Sequence, residues 1–77
     1  MKKSIRPGVY RHYKGKLYEV IGEAHHSETL AEVVVYKALY KTQFGRNSFW
    51  VRPQKMFLGN VIVNGKRTKR FQFIKSL

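Results

Sequence analysis

The dipeptide Asn64-Gly65 is the feature that most restricts how this chain can fold. It lies between residues 60–63, which are strand-like, and a second such segment that starts at Lys66. Asn-Gly is the preferred sequence of a two-residue type I′ turn, because both central positions of that turn need a positive φ. The dipeptide therefore predicts an antiparallel hairpin in which Val63 pairs with Lys66.

Alternating and β-branched patterns predict strands along most of the remaining chain. Gly22 lies inside one of these segments and indicates a bulge or a bend. Residues 54–58 are too few for an independent helix, so we expect one helical turn that buries Met56 or Phe57. The predicted strands are residues 9–13, 17–24, 32–39, 49–52, 60–63 and 66–73.

This pattern predicts an all-β fold, a small SH3-like barrel of five to six short antiparallel strands with one short helical turn. An OB-type barrel is the alternative. The 77 residues allow one domain over 1–77, in which we expect residues 1–5 to be a frayed basic terminus. The chain has no Cys, so its five Tyr, five Phe and one Trp must supply the core.

Nothing in the sequence suggests a membrane protein. No apolar run approaches the roughly 18 residues of a membrane span. The basic start Met1-Lys2-Lys3 is not followed by the apolar stretch of a signal peptide. We expect a cytoplasmic monomer that does not bind membranes.

Charge is distributed very unevenly along the chain. There are 16 Lys or Arg residues and only 4 acidic residues, which gives a formal net charge of +12. All four acids lie within residues 19–32, a window without Lys or Arg. Such a field attracts polyanions. The alternative interpretation is that the charge only maintains solubility.

The basic segment Lys66-Arg67-Thr68-Lys69-Arg70 is the most concentrated source of positive charge. Its cations could guard an edge strand against aggregation. They could instead contact phosphates together with basic residues near the amino terminus. The candidate nucleic-acid-binding residues are Lys2, Lys3, Arg6, Lys66, Arg67, Lys69 and Arg70.

The segment His25-His26-Ser27-Glu28-Thr29 combines a base, a hydroxyl group and a carboxylate. Adjacent loop residues do not converge as catalytic groups must, so turn formation or ligand binding is favoured over catalysis. Neighbouring histidines rarely bind one metal ion together. We expect no metal and no cofactor, and we favour a binding function over an enzymatic one.

Aromatic side chains provide a second candidate site. Unpaired bases stack on Tyr, Trp and Arg, and peptides also bind in aromatic grooves. Most aromatic residues of so small a domain must nevertheless belong to its core. The candidate groove comprises Tyr10, His12, His26, Ser27, Glu28, Thr29, Tyr36, Trp50 and Arg52.

Several segments together resemble a family of small bacterial proteins known as domain of unknown function 1653. The similarity implies an SH3-like barrel, but no activity, cofactor or ligand residue. The chain departs from the usual pattern in a longer connection over residues 40–50 and a more basic surface. The matching segments are PGVYRHYKG at 7–15, YEV at 18–20, Ala24, HSETL at 26–30, VVYKALY at 34–40, WVRP at 50–53, MF at 56–57, Gly65 and RF at 70–71.

Three functions remain open. The first is a non-catalytic module whose basic surface binds nucleic acid, either RNA or single strands, with little sequence preference. The second is an adaptor that binds a peptide or loop of another bacterial protein in the aromatic groove. The third is a small enzyme that uses the loop at residues 26–29.

Overall fold

Seven antiparallel strands and one short helix make up the computed structural model, which describes residues 5–77. The all-β class and the single helical turn are confirmed. The strand count is higher than expected because the last predicted strand is divided at Arg70. The elements are β1 (Gly8–His12), β2 (Leu17–His25), β3 (Glu32–Ala38), β4 (Phe49–Pro53), α1 (Gln54–Phe57), β5 (Asn60–Val63), β6 (Lys66–Lys69) and β7 (Phe71–Lys75).

Five of the strands form one sheet in the order β4-β3-β2-β1-β7, and β5 pairs with β6 in a separate sheet. Within residues 5–77 the larger sheet does not close on itself, so β4 and β7 are its edges. An open five-stranded sheet and a separate hairpin therefore stand where a barrel was expected. The last strand is divided at Arg70, whose N–H donates to the carbonyl oxygen of Gly59.

The β5–β6 hairpin has the predicted turn and register. Val63 pairs with Lys66, and the turn residues Asn64 and Gly65 have φ values of 51° and 77°. Asn and Gly adopt this left-handed conformation most readily, which explains why the dipeptide located the turn.

Gly22 also lies where its sequence context predicted an irregularity. The register between β2 and β3 shifts between Val20 and Gly22. Val20 pairs with Tyr36 before the shift, and Gly22 pairs with Val35 after it. The bulge bends the longest strand, so the sheet curves around the side chains on one of its faces.

The curved sheet encloses the core on its inner face, which we define by the side chains of Tyr10, Tyr18, Val34, Tyr36 and Phe71. Phe57 of α1 lies against this face and is only 1% exposed, whereas Met56 is 49% exposed. The helical turn therefore buries Phe57 alone. The buried cluster is Ile5, Tyr10, Val20, Val34, Tyr36, Phe57 and Phe71.

The expectation of a frayed start is wrong at Ile5. Its side chain is buried in the core, and its N–H donates a 2.8 Å hydrogen bond to Oε1 of Glu23. An apolar residue that follows a basic end can anchor that end when a neighbouring strand offers an acceptor. Residues 1–4 lie outside the described part of the chain.

Candidate functional site

Five of the nine candidate groove residues share the inner face of the sheet. Side chains that pair across antiparallel strands project to the same side. Trp50 pairs with Tyr36, and Arg52 pairs with Val34. Because Val34 and Tyr36 belong to the inner face, Trp50 and Arg52 project to that face as well. On the other half of the sheet the same rule places Tyr10 and His12 on the same face, opposite Phe73 and Phe71.

These five residues differ in accessibility. Tyr10 and Tyr36 are buried and belong to the core. His12 and Arg52 are half-buried, and Trp50 is 36% exposed. Three of the five can therefore contact a ligand directly.

Tyr18 joins these residues into one cluster. Its ring lies 5.3 Å from Tyr36, 5.4 Å from Tyr40 and 5.7 Å from Phe71 between centroids, each pair edge to face. Its hydroxyl group shares a hydrogen bond with the hydroxyl of Tyr40. Burial raises the pKa of Tyr18, and the hydrogen bond to Tyr40 raises it further, so its hydroxyl stays neutral and available as a donor.

Tyr18 and Tyr40 were absent from the predicted groove. A usable signal was present for Tyr18, because the short β1–β2 connection sets Tyr18 opposite Tyr10 on the same face. No comparable signal marked Tyr40. It follows β3 in an irregular segment, where side-chain direction does not follow from alternation.

Arg52 is held over the aromatic cluster by two contacts. Its Nε donates a 3.3 Å hydrogen bond to the hydroxyl of Tyr36. The centre of its guanidinium group lies 5.7 Å from the centroid of the Phe71 ring. A cation at this distance interacts favourably with the face of an aromatic ring, so the charge is presented with its orientation already restricted.

His12 packs edge to face against Phe71, with ring centroids 5.0 Å apart. Its Nδ1 accepts the N–H of Lys14 at 3.2 Å. Burial lowers the pKa of His12, and the nearby cations Arg52, Arg70 and Lys14 lower it further. The neutral imidazole therefore carries its proton on Nε2 and can donate a hydrogen bond.

We call the accessible part of this cluster the aromatic–basic face. Lys16 extends it at one end, where its Nζ lies 5.0 Å above the ring of Tyr40. Trp50 extends it at the other end, where Phe44 packs at 5.6 Å and Ser48 accepts the indole N–H at 3.0 Å. The aromatic–basic face comprises His12, Lys16, Tyr18, Tyr40, Trp50, Arg52 and Arg70.

None of the four acidic residues belongs to the aromatic–basic face. Glu19 lies on the outer face of the sheet, where it forms a 3.4 Å ion pair with Lys37. Glu23 accepts hydrogen bonds from the N–H of Ile5 and from Gln54. Glu28 and Glu32 lie in or beside the β2–β3 turn. The cations are less segregated, because Arg11 is exposed on the outer face beside Leu17.

The loop at residues 26–29 is a self-capped turn. Nδ1 of His26 accepts the N–H groups of Glu28 at 3.1 Å and Thr29 at 3.3 Å. The hydroxyl of Thr29 accepts the N–H of Ala31 at 3.2 Å. A catalytic base needs an unprotonated ring nitrogen, and in His26 that nitrogen, Nδ1, already accepts backbone N–H groups. Ser27 and Glu28 are exposed.

The same loop lies away from the aromatic residues with which it was grouped. Glu32 begins β3 and pairs with His25, and Tyr36 lies four positions further along that strand. At the strand rise this separation is about 13 Å. The expected single groove is therefore divided between two ends of the sheet. Among residues 5–77, no three His or acidic side chains gather as metal ligands would.

The basic hairpin projects beside the inner face. Lys66, Arg67 and Lys69 are exposed, and Lys69 also lines a groove of about 190 Å³ with Tyr10, Phe57, Leu58, Phe71 and Phe73. Arg6 contacts Phe73 of this groove, with its guanidinium group 3.8 Å from the centroid of the ring. Lys2 and Lys3 lie outside the described residues.

A larger depression of about 310 Å³ lies near the β2–β3 turn, away from the aromatic–basic face. It is lined by Ala31, Glu32, Pro53, Gln54 and Lys55. It contains no aromatic ring, so its size does not make it the better candidate for recognition of bases.

The family follows from a direct match. Residues 8–73 match the family described as "Protein of unknown function (DUF1653)". The chain belongs to this family. The matched range includes every residue of the aromatic–basic face, and the resemblance inferred from the sequence segments is confirmed.

A crystal structure of a DUF1653 protein from Bordetella bronchiseptica is similar over nearly the whole chain. The two share 36% sequence identity and superpose with a TM-score of 0.83. The match covers 95% of this chain and 91% of that chain. No curated protein matches the sequence. Among the described residues, no helix is long and apolar enough to span a membrane.

Proposed function

We propose that this DUF1653 protein binds single-stranded nucleic acid, RNA or DNA, with little sequence preference. The observation that carries the proposal is the combination of accessible rings and cations on one side of the sheet. Tyr40 and Trp50 offer rings, and Arg52 presents a positioned charge beside Tyr36 and Phe71. No carboxylate belongs to the aromatic–basic face, and Glu23, which pairs with Val34, accepts hydrogen bonds from Ile5 and Gln54.

Aromatic rings favour single strands over duplexes. Each base has two faces that can stack on a ring once it is unpaired, and stacking on a protein ring contributes about 1–3 kcal/mol per base. Trp50 is held by its indole hydrogen bond to Ser48 and by Phe44, so little side-chain freedom is lost on binding. A duplex hides the base faces and would gain only from the cations.

The cations supply contacts to phosphates without reading sequence. Lys16, Arg52 and Arg70 belong to the aromatic–basic face, and Lys69 continues the charge along the neighbouring groove. Base recognition would need an array of donors and acceptors fixed toward base edges, and the face offers mainly rings and charges. Low sequence preference follows from that composition.

Fluorescence anisotropy with labelled single-stranded RNA, single-stranded DNA and a duplex tests the proposal. If three cations contact phosphates, raising the salt from about 50 mM to about 200 mM weakens single-strand binding by about twentyfold. We expect both single strands to bind more tightly than the duplex. An absence of single-strand binding at the lower salt concentration, or a preference for the duplex, would refute the proposal.

A second candidate function is that of an adaptor, and the edge strand β4 favours it. Within residues 5–77, β4 pairs with β3 on one side only. Phe49 and Val51 on its outer face are 66% and 65% exposed. An extended peptide could add to such an edge. Recovery of one protein partner after nuclease treatment, and its loss with Val51→Lys, would support this candidate.

A further inference from the structure

Arg52 and His12 both contact the ring of Phe71, and the charge of Arg70 acts on His12. Arg52 lies over the ring at 5.7 Å, and His12 packs against it at 5.0 Å. Arg70 precedes Phe71 in the chain, and both arginines are close enough to lower the pKa of His12. The groups that shift the pKa of His12 are cations and include no carboxylate of the described residues, so the cluster favours an anion.

Arg70 also has an unused donor. Its Nε is buried and has no hydrogen-bond partner among the described residues. Buried polar groups without partners are rare and costly in native proteins, so each one calls for an explanation. The Arg70 side chain as a whole is only partly buried, so a small rotation exposes its donors to an incoming oxygen atom.

The number of donors favours a phosphate monoester over an internal diester. A monoester carries a charge close to −2 at neutral pH and has three free oxygen atoms. A diester linkage has one charge and two free oxygens. The two guanidinium groups and Nε2 of His12 provide one donor group for each oxygen of a monoester, and guanidinium groups bind phosphates in a bidentate manner.

We propose that Arg52, Arg70 and His12 bind a terminal phosphate, so that the protein recognises the phosphorylated end of a nucleic-acid strand. This inference rests on the proposed function. It adds that the aromatic–basic face binds the terminal phosphate of the strand. The bases next to that end then stack on Tyr18, Tyr40 or Trp50. The lone cations of the β5–β6 hairpin contact internal phosphates.

The test compares single-stranded RNA hexamers that differ only at one end. One pair carries a 5′-phosphate or a 5′-hydroxyl, and the other carries a 3′-phosphate or a 3′-hydroxyl, with the fluorophore at the opposite end. We expect one phosphorylated hexamer to bind at least about tenfold more tightly than its unphosphorylated partner, as two or three charge-assisted hydrogen bonds imply. The pair that shows this difference identifies the recognised end.

Two variants locate the effect. Arg70→Gln removes the charge of Arg70 and should reduce the preference for the phosphorylated end to near one. Arg67→Gln removes an exposed charge from β6 and should leave the preference unchanged. The preference is a ratio of two affinities from one preparation, so a partly unfolded variant does not distort it.

The outcomes separate this inference from the proposed function. Equal binding of all four hexamers overturns the terminal-phosphate site and leaves single-strand binding intact. An equal loss of preference in both variants also overturns the site, because it reveals a general charge effect. Failure of every hexamer to bind overturns both.

Discussion

Phe57 and Phe71 stack face to face, with ring centroids 4.1 Å apart and planes inclined by only 6°. Phe57 is the one buried residue of α1, and Phe71 begins β7. Phe57 also contacts Tyr10 and Tyr36. A single side chain of the helix therefore packs against three strands of the open sheet. It covers the core on the side where the sheet does not close.

Phe57→Ala should destabilise the protein severely. A large-to-small change of a buried Phe costs about 3–5 kcal/mol, because transfer energy is lost and a cavity remains. In a domain of this size that amounts to most of the stability. Urea denaturation followed by far-ultraviolet circular dichroism measures the free energy of unfolding.

Met56→Ala is the matched control, because Met56 lies beside Phe57 in the helix and is 49% exposed. We expect it to change stability by less than about 1 kcal/mol. Similar losses for the two substitutions would mean that α1 does not hold the sheet through Phe57.

Local signals in the sequence predicted the fold well. Asn64-Gly65 needed a positive φ, and Gly22 interrupted an alternating pattern; both features formed where they were expected. One helical turn that buries Met56 or Phe57 was also predicted from its length and its apolar residues, and Phe57 is the residue that is buried. Each of these features depends on a few neighbouring residues, which is why sequence alone was informative.

Long-range relationships were not predictable in this way. The place of β7 beside β1 depends on how the chain returns after the hairpin, and no local pattern specifies it. The same pairing sets Phe71 opposite His12, which creates the cluster around Phe71. His26 and Trp50 were predicted to line one groove because both residue types can bind ligands. Residue type does not determine distance, and the two residues lie at different ends of the sheet.

Gly8→Ala should be far more harmful than Gly15→Ala. Both glycines have positive φ values, 145° and 103°. A Cβ atom at Gly8 would lie 2.5 Å from the carbonyl oxygen of Lys75, whereas a Cβ atom at Gly15 meets nothing within 4 Å. We expect a loss of about 3 kcal/mol or more at Gly8, and about 1–2 kcal/mol at Gly15 from backbone strain alone.

The free energy of unfolding of both variants gives this comparison directly. Backbone strain contributes to both substitutions, so the difference between them measures the close approach of β7 to β1. Equal losses would show that β7 can move away from Gly8 at little cost and that this edge of the sheet is weakly held.

His12 should make stability depend on pH. Burial and the cations Arg52, Arg70 and Lys14 place its pKa in the folded protein below the 6.5 of the unfolded chain. Between these two values the unfolded chain binds more protons, so stability falls as the pH falls. The contribution is complete above pH 6.5 and is lost as the pH decreases toward the lowered pKa.

His12→Asn tests this directly, because Asn can still accept the N–H of Lys14 but does not titrate. Thermal unfolding is measured from about pH 7.5 to about pH 5 for both proteins, the range in which a histidine changes charge. We expect the stability of the natural protein to decline more steeply than that of the variant. Parallel curves would indicate that His12 titrates equally in the folded and unfolded chains.

Trp50→Ala should weaken single-strand binding without altering its dependence on salt. Loss of one stacked base costs about 1–3 kcal/mol, which corresponds to a loss of affinity between about fivefold and about 150-fold. The substitution removes no charge, so the slope of log K against log salt should not change. Arg52→Gln should lower the magnitude of that slope by about 0.7, since one phosphate contact is lost. Anisotropy titrations at several salt concentrations measure both quantities.

Val51→Ala is the matched control for Trp50→Ala. The two side chains are neighbours on the edge strand β4 but project to opposite faces of the sheet, and Val51 is the more exposed of the two. If the strand binds the inner face, Val51→Ala should leave the affinity within about twofold. A loss as large as that of Trp50→Ala would place the nucleic acid along the edge of β4. A normal affinity for Trp50→Ala would remove stacking on this ring from the binding mechanism.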